Sequence, residues 1–347
     1  MKKALVTGGS GYFGTLLCEK LVQDGWHVKN LDLIAPINKL ENIDFHQTDV
    51  RDLSKARKIF EDVDSVFHNV ALVPITKSSN YGETNILGTQ NTIEMAIKTG
   101  VKSFIHTSSS AVFGIPKKNP VRIHDIPFPA EKYGQSKLNS EFLLATYSSK
   151  IDISIIRPRT ILGHGRLGIF QILFDWISKG WNIPLLGNGE NIYQFIHADD
   201  LASACILSSN SRGLNYYNIG AKRFCSMRET LEALCDYAGT GSKVISLPQN
   251  IFEYLMNTAS FLKLSPLGSY HSLMYGRSLY FDISKAEKEL GWNSVYSNKE
   301  SIIDSYKYYI SNKDKINSGD NENIKSPHSL PMKQGALKIL GYLLNII

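Results

Sequence analysis

Four glycines crowd into seven residues near the start of the chain, Gly8-Gly9-Ser10-Gly11-Tyr12-Phe13-Gly14. They sit between a short apolar run, Lys3-Ala4-Leu5-Val6-Thr7, and an amphipathic segment from Leu16 to Gln23. A second apolar run ends in Asp32. Strand, glycine loop, helix, strand and acid, in that order, form a dinucleotide-binding βαβ unit. Gly8 and Gly9 permit a tight turn, Gly11 lets backbone approach a pyrophosphate, and Gly14 lets the helix pack closely. Tyr12 and Phe13 complete the loop, and the helix N-terminus offers free N–H groups and a positive dipole end to phosphates.

Asp32 stands 18 residues after Gly14. A carboxylate there accepts bonds from both ribose hydroxyls of an adenosine and repels a 2′-phosphate. No arginine follows it in Leu33-Ile34-Ala35-Pro36. The expected cofactor is therefore NAD rather than NADP.

Apolar runs and amphipathic segments alternate through the first half of the chain. Strands are expected at 3–7, 27–32, 43–48, 64–69, 103–108 and 152–157, with helices at 12–24, 54–61, 82–99 and 131–148. Such alternation specifies an α/β fold, a Rossmann-type doubly wound parallel sheet. The second half is less regular, with helices expected at 168–179, 199–208, 226–239, 249–262, 284–290 and 299–310 and strands near 193–197 and 215–219. The expected organisation is an NAD-binding domain over 1–160 and a smaller C-terminal substrate-binding lobe over 161–310, partly interleaved with the first. A polar flexible linker is expected over 311–335 and an apolar tail over 336–347. The tail is too short to span a bilayer, which takes about 20 apolar residues. A peripheral membrane contact, a partner contact and packing on the chain's own core are its three readings.

The 347 residues carry a net charge of +6, with lysines and arginines scattered rather than clustered. A mildly basic enzyme fits this better than a nucleic-acid binder. Cys18, Cys205, Cys225 and Cys235 form no CxxC pair. That pattern fits a reduced, cytoplasmic setting.

Two further patterns carry chemistry. Tyr133-Gly134-Gln135-Ser136-Lys137 places a phenol and an ammonium four residues apart, on one helix face. The ammonium and an oxidised nicotinamide both favour the phenolate, which makes Tyr133 able to act as a base. Upstream, Thr107-Ser108-Ser109-Ser110 closes an expected strand at its C-terminal end, where open α/β sheets bind ligands. A serine hydroxyl there can bond a substrate oxygen and steady developing charge.

With these patterns in order, the chain resembles an extended short-chain dehydrogenase/reductase of the NAD-dependent epimerase/dehydratase family over about residues 1–310. The resemblance rests on TGGSGYFG, Asp32, Thr48-Asp49-Val50-Arg51-Asp52 and Val66-Phe67-His68-Asn69-Val70-Ala71. Asn85-Ile86-Leu87-Gly88-Thr89, the serine cluster, the YxxxK pattern and Arg157-Pro158 extend it. It implies that Asp49 and Val50 flank the adenine and that Val70 and Ala71 line the cofactor path. It also implies that Asn85 supports the site's backbone and that Pro158 sits near the nicotinamide. Ser109 matches the family's active hydroxyl, five residues before Gly114, with Ser108 and Ser110 as neighbours on the substrate side. Tyr133 is then the general base or acid and Lys137 its partner, which also holds the nicotinamide ribose.

In the second half, Gly187-Asn188-Gly189-Glu190-Asn191 with Phe195-Ile196-His197-Ala198-Asp199-Asp200 resembles a further family signature, as does Asp282-Ile283-Ser284-Lys285-Ala286 leading to Leu290-Gly291-Trp292. Sugar-nucleotide members place a diphosphate-clamping arginine before the FIH-type strand. Here the position holds Tyr193, and Arg166 and Arg277 are the alternative clamps, against a reading as surface charge or internal ion pairs. His197, Asp199 and Asp200 stand at a strand-to-helix junction where Asp199 or Asp200 is expected to cap the helix, and no metal site is expected.

Dehydratase and decarboxylase members carry an acid beside the active hydroxyl; Ser110 and Ala111 follow Ser109 here. Two readings remain. One is an NAD-dependent nucleotide-sugar epimerase working through a transient keto intermediate, a homodimer with a small-molecule substrate and no nucleic-acid partner. The other is an NAD(P)-dependent dehydrogenase or reductase of a lipid-like alcohol or ketone, similar to 3β-hydroxysteroid dehydrogenases, which Tyr193 and the apolar tail favour. The first is preferred as the commoner substrate class for this architecture.

Overall fold

The computed structural model describes residues 1–36, 41–73, 80–168, 170–248, 276–318 and 341. The chain divides into two units. The first is Met1–Thr160 with Ala198–Gly220 and Phe281–Ser294; the second is Ile161–His197 with Ala221–Tyr280 and Val295–Ile347.

In chain order the elements begin with β1 (Lys3–Thr7), α1 (Tyr12–Gln23), β2 (His27–Asp32), β3 (Ile43–Gln47), α2 (Arg57–Phe60) and β4 (Ser65–His68). A π-helical turn (Gly82–Leu87) runs into α3 (Gly88–Lys98), followed by β5 (Ser103–Thr107), a 3₁₀ turn (Ser110–Phe113), α4 (Lys132–Ala145) and β6 (Asp152–Pro158). Next come β7 (Thr160–Leu162), α5 (Phe170–Ser178), β8 (Ile183–Leu186), β9 (Phe195–His197), α6 (Ala198–Ser208) and β10 (Leu214–Ile219). The described chain closes with α7 (Met227–Ala238), β11 (Val244–Leu247), α8 (Ser284–Leu290) and α9 (Asn298–Ser318).

The first unit is built on a seven-stranded sheet in the order β10-β6-β5-β4-β1-β2-β3. All its pairings are parallel, with Ala4 opposite both Val28 and Ser65, and Thr107 opposite Ile156. Parallel strands need crossover helices, which cover both faces, so the strands read as continuous apolar runs. Leu5, Val66, Phe104, Ile153 and Ile155 are accordingly all buried. The strand order reverses between β1 and β4, and a ligand crevice opens at the carboxyl ends on either side of such a reversal. The loops after these two strands abut, because a Cβ on Gly8 would lie 3.1 Å from the Val70 nitrogen.

In the second unit an aromatic cluster dominates. Phe174 packs on Tyr306 and Tyr309 of α9, and Phe170 on Phe195 of β9. The helix expected over 299–310 runs on to Ser318, into the stretch read as linker. Ile302, Ser305, Tyr306, Tyr309 and Ile316 lie on its buried stripe, and Lys307, Ser311, Asp314 and Lys315 on its outer face. Lys313 donates to Ser178 Oγ at 2.8 Å, tying this stretch to α5. The helix expected over 54–61 shrinks to the single turn of α2, and β7, β8 and β11 were not foreseen. The helix expected at 249–262 lies outside the described residues, as does the tail apart from Gly341. That glycine is buried, and a Cβ on it would lie 2.9 Å from Trp176. Among the described residues no helix is long and apolar enough to cross a membrane.

Candidate active site

The glycine loop joins β1 to α1 in the first unit. Gly8 adopts φ +71°, a conformation that L side chains rarely take. Its nitrogen donates to Leu31 O at 2.8 Å, and its own oxygen accepts from Gly11 N at 3.1 Å. A Cβ on Gly14 would overlap the Gly8 oxygen, so this glycine serves the closeness of loop and helix rather than that of helix and strand. Asp32 closes β2 beside the loop, with Oδ2 accepting from Ser10 N at 3.1 Å and Oδ1 from Ile34 N at 3.1 Å. The N-cap of α1 is Gly11, which has no side chain of its own to cap the helix. A backbone cradle that a Cβ would fill, a glycine-capped helix N-terminus and a carboxylate beside them together fit the pyrophosphate and adenosine ribose of NAD.

The neighbouring residues are held in different ways. Val50 is buried, in contact range of Gly88 at the start of α3. The Asp49 carboxylate is taken by Arg51, with Nη2 at 2.6 Å, which holds it below the usual carboxylate range. Asn85, in the π-helical turn, accepts from Leu72 N at 2.7 Å and donates to Ser136 Oγ at 2.9 Å. It therefore links the segment after Val70 and Ala71 to α4.

Tyr133 and Lys137 lie on α4, whose first turn is capped by Glu131 accepting from Tyr133 N and Gly134 N at 2.7 and 2.6 Å. The half-buried Tyr133 ring lies 6.2 Å from the Tyr81 ring, centroid to centroid. Lys137 is 2 % exposed, and its Nζ donates to Thr107 O at 2.7 Å. Burial pushes its pKa down to about 8, while the Glu141 carboxylate acts to raise it. Behind it, His68 and His106 stack at 5.5 Å on adjacent strands. Burial and the Lys137 charge push His68 down to about 3 and His106 well below the ordinary imidazole value.

Three serines follow β5 and take three positions. Ser108 is buried and donates to Glu141 Oε1 at 2.5 Å. Ser109 caps the 3₁₀ turn, its Oγ accepting from Ala111 N at 3.1 Å. Ser110 accepts from Arg159 Nη1 at 2.9 Å. A Cβ on Gly134 would overlap the Ala111 oxygen, so the first turn of α4 presses directly on the serine turn. The fold thus brings the Ser109 turn against the helix that carries Tyr133 and Lys137, with Pro158 closing the next strand, β6.

Arg166, Tyr193 and Arg277 lie in the second unit. Tyr193 is buried, its ring 5.2 Å from Phe195. Arg277 is exposed and stands beside the 191–193 segment, its oxygen accepting from Asn191 Nδ2 at 3.4 Å. Arg166 is half-buried, with its backbone nitrogen turned to Gly163 O at 3.2 Å. Sequence reasoning missed Glu131, Gly134 and Glu141. Glu141 had a signal, since it lies four residues beyond the lysine and eight beyond the tyrosine, but a charge four residues beyond a lysine reads equally well as solvated surface.

A family model described as the NAD dependent epimerase/dehydratase family matches residues 4–220. An uncharacterized protein, y4nG of Sinorhizobium fredii, is 47% identical over 350 residues, covering 100% of this chain and 87% of that protein. A putative UDP-glucose 4-epimerase of Methanocaldococcus jannaschii is 28% identical over 316 residues, covering 86% and 95%. The crystal structure of UDP-glucose 4-epimerase with UDP-glucose from Thermotoga maritima shares the fold, with a TM-score of 0.73 at 23% identity over 90% and 99% of the two chains. Glycine cradle, acid-closed second strand and matched sequence converge on one conclusion: the chain belongs to the NAD-dependent epimerase/dehydratase family, and NAD is its cofactor.

Proposed function

We propose that this protein is a nucleotide-sugar epimerase that inverts a sugar hydroxyl through a transient keto sugar, with Tyr133, Lys137 and Ser109 as its working groups. The observation that carries the reading is the seating of Tyr133 and Lys137 on a helix pressed against the Ser109 turn at the carboxyl end of the sheet. The relatives named as UDP-glucose 4-epimerases support the substrate class.

NAD, when bound, would supply the reversible hydride acceptor for the sugar carbon. Gly8, Gly11 and Gly14, with the N–H groups at Tyr12 and Phe13, would hold its pyrophosphate, and Asp32 its adenosine ribose. Tyr133 takes the proton of the sugar hydroxyl as the carbon is oxidised and gives it back on reduction. Lys137 favours the phenolate by its charge. The Ser109 hydroxyl donates to the sugar oxygen while negative charge is on it. No carboxylate adjoins Ser109 in sequence, which leaves elimination without an acid of its own.

A second reading, net oxidation of a less polar alcohol, draws on the buried aromatic ring of Tyr193 where sugar-nucleotide members have an arginine. One experiment separates the two. Purified protein is given NAD and UDP-glucose or related nucleotide sugars, and products are resolved by NMR while NADH absorbance is followed. Interconverted sugars with no net NADH support the epimerase. Stoichiometric NADH from an alcohol, with nucleotide sugars unchanged, overturns it.

A further inference from the structure

The ion pair under the serine turn has no part in the chemistry just proposed. Glu141 is one helical turn past Lys137 and two past Tyr133, so the three share a stripe of α4. Its side chain is 1 % exposed, and both of its oxygens are engaged. Arg157 of β6 donates from Nε to Oε1 at 3.0 Å and from Nη2 to Oε2 at 2.6 Å. Ser108 Oγ donates to Oε1 as well, at 2.5 Å. The guanidinium is itself wedged between the rings of Phe113 and Tyr216, at 5.0 and 4.8 Å. Meanwhile Lys137 Nζ reaches the oxygen of Thr107. Two successive turns of α4 are thus pinned to two successive residues, Thr107 and Ser108, and Ser109 comes next.

We infer that Glu141 is a positioning residue: clamped by Arg157, it holds the Ser108–Ser110 turn at a set place against the Tyr133–Lys137 face of α4 and supplies the counter-charge that keeps Lys137 an ammonium. The inference rests on the reading of Tyr133 and Lys137 as the groups that do the chemistry. Packing alone does not call for this arrangement, because well-packed apolar side chains commonly match or exceed a buried ion pair in stability. The groups around Lys137 make its counter-charge specific. Glu141 acts on it from α4, and His68 and His106 feel its charge from the sheet, while Arg157 of β6 clamps Glu141 and Cys205 of α6 lies near Thr107. Glu141 is the carboxylate of that set. The two histidines are neutral, since burial and Lys137 itself hold their protons off.

The test uses the NAD-loaded protein with ¹⁵N-labelled lysine, its Lys137 Nζ signal assigned by its loss in Lys137→Met. Titrating that signal in the wild type and in Glu141→Gln should show the midpoint falling by about one pH unit in the variant. The alkaline limb of kcat should move the same way. Should Glu141→Gln fail to fold, Glu141→Gln/Arg157→Met removes both charges at once and is read in its place. Ser108→Ala should lower kcat about tenfold with KM and the Lys137 midpoint unmoved, the signature of a displaced turn. An unshifted Lys137 midpoint in the Glu141 variant overturns the counter-charge role, and an unchanged kcat in Ser108→Ala overturns the positioning role. A wild-type protein that converts no nucleotide sugar defeats the proposed function instead, and the NMR titration, which needs no turnover, still decides Glu141.

Discussion

At the β1 end of the sheet the groups offered to a ligand are mostly backbone. Gly8 and Gly11 bond to each other, the N-cap of α1 is a glycine with no side chain, and the Asp32 carboxylate leans on Ser10 N and Ile34 N. At the β5–β6 end they are side chains in a buried charged network, Lys137, Glu141, Arg157 and Ser108, with His68 and His106 behind. On the proposed function, the contrast follows from the tasks. A pyrophosphate keeps its charge throughout, so fixed N–H dipoles and shape suffice for it. A proton that must leave and return needs titratable groups whose charges are set by neighbours. The first end should therefore respond to volume and the second to charge and pH.

The largest effect expected is on turnover. Tyr133→Phe should lower kcat by about 10²- to 10⁴-fold while NAD affinity, measured by calorimetry, stays within error. Turnover at the wild-type rate removes Tyr133 from the chemistry and weakens the contrast at its root. Next is Arg157→Met, which leaves the Glu141 carboxylate buried without its guanidinium. Urea denaturation should show a loss of about 3–5 kcal/mol, most of it recovered in Glu141→Gln/Arg157→Met. A fully additive double variant would mean that the two residues do not act as a pair.

Gly14→Val tests the backbone end by volume. Its side chain must displace the Gly8 oxygen, and overpacking of this kind costs about 1–3 kcal/mol, read here as weaker NAD binding. Unchanged NAD affinity would show that the loop yields where the contacts say it cannot. The shallowest effect is a pH dependence of stability, at most about 1.4 kcal/mol per pH unit for each group. Lys137 has a folded pKa of about 8 against an ordinary 10.5, so between these values the unfolded chain holds the extra proton and stability rises with pH. His68, at about 3 against 6.5, gives the same sign at the acid end, with stability falling as pH drops below 6.5. Denaturation midpoints over this range should show both slopes, Lys137→Met flattening the upper and His68→Phe the lower. A flat wild-type profile would contradict the burial assigned to both groups.

The unforeseen parts of the molecule have separate causes. Asn312 to Lys315 read as linker because composition was weighed without its period; the buried positions Tyr309 and Ile316 flank them, and the helix simply turns its polar face outward there. Tyr193 was weighed as a departure in a substrate clamp, and the structure shows a core ring against Phe195. Ser108 was counted with the substrate hydroxyls, and its proton goes to Glu141. The partner of Ser108 lies on another element, and nothing in the local pattern names it.

The chain's linear order settled what local physics settles. A glycine loop must turn between β1 and α1, an acid must close β2, and Tyr133 and Lys137 must share a helix face, because loop sterics and the helical period act over a few residues. Only the tertiary structure decided that Glu141 meets Ser108, 33 residues away, and Arg157, 16 residues away. Such pairs form because sheet pairing and helix packing carry distant residues into one buried space, where a charge must find its opposite or be neutralised by gaining or losing a proton.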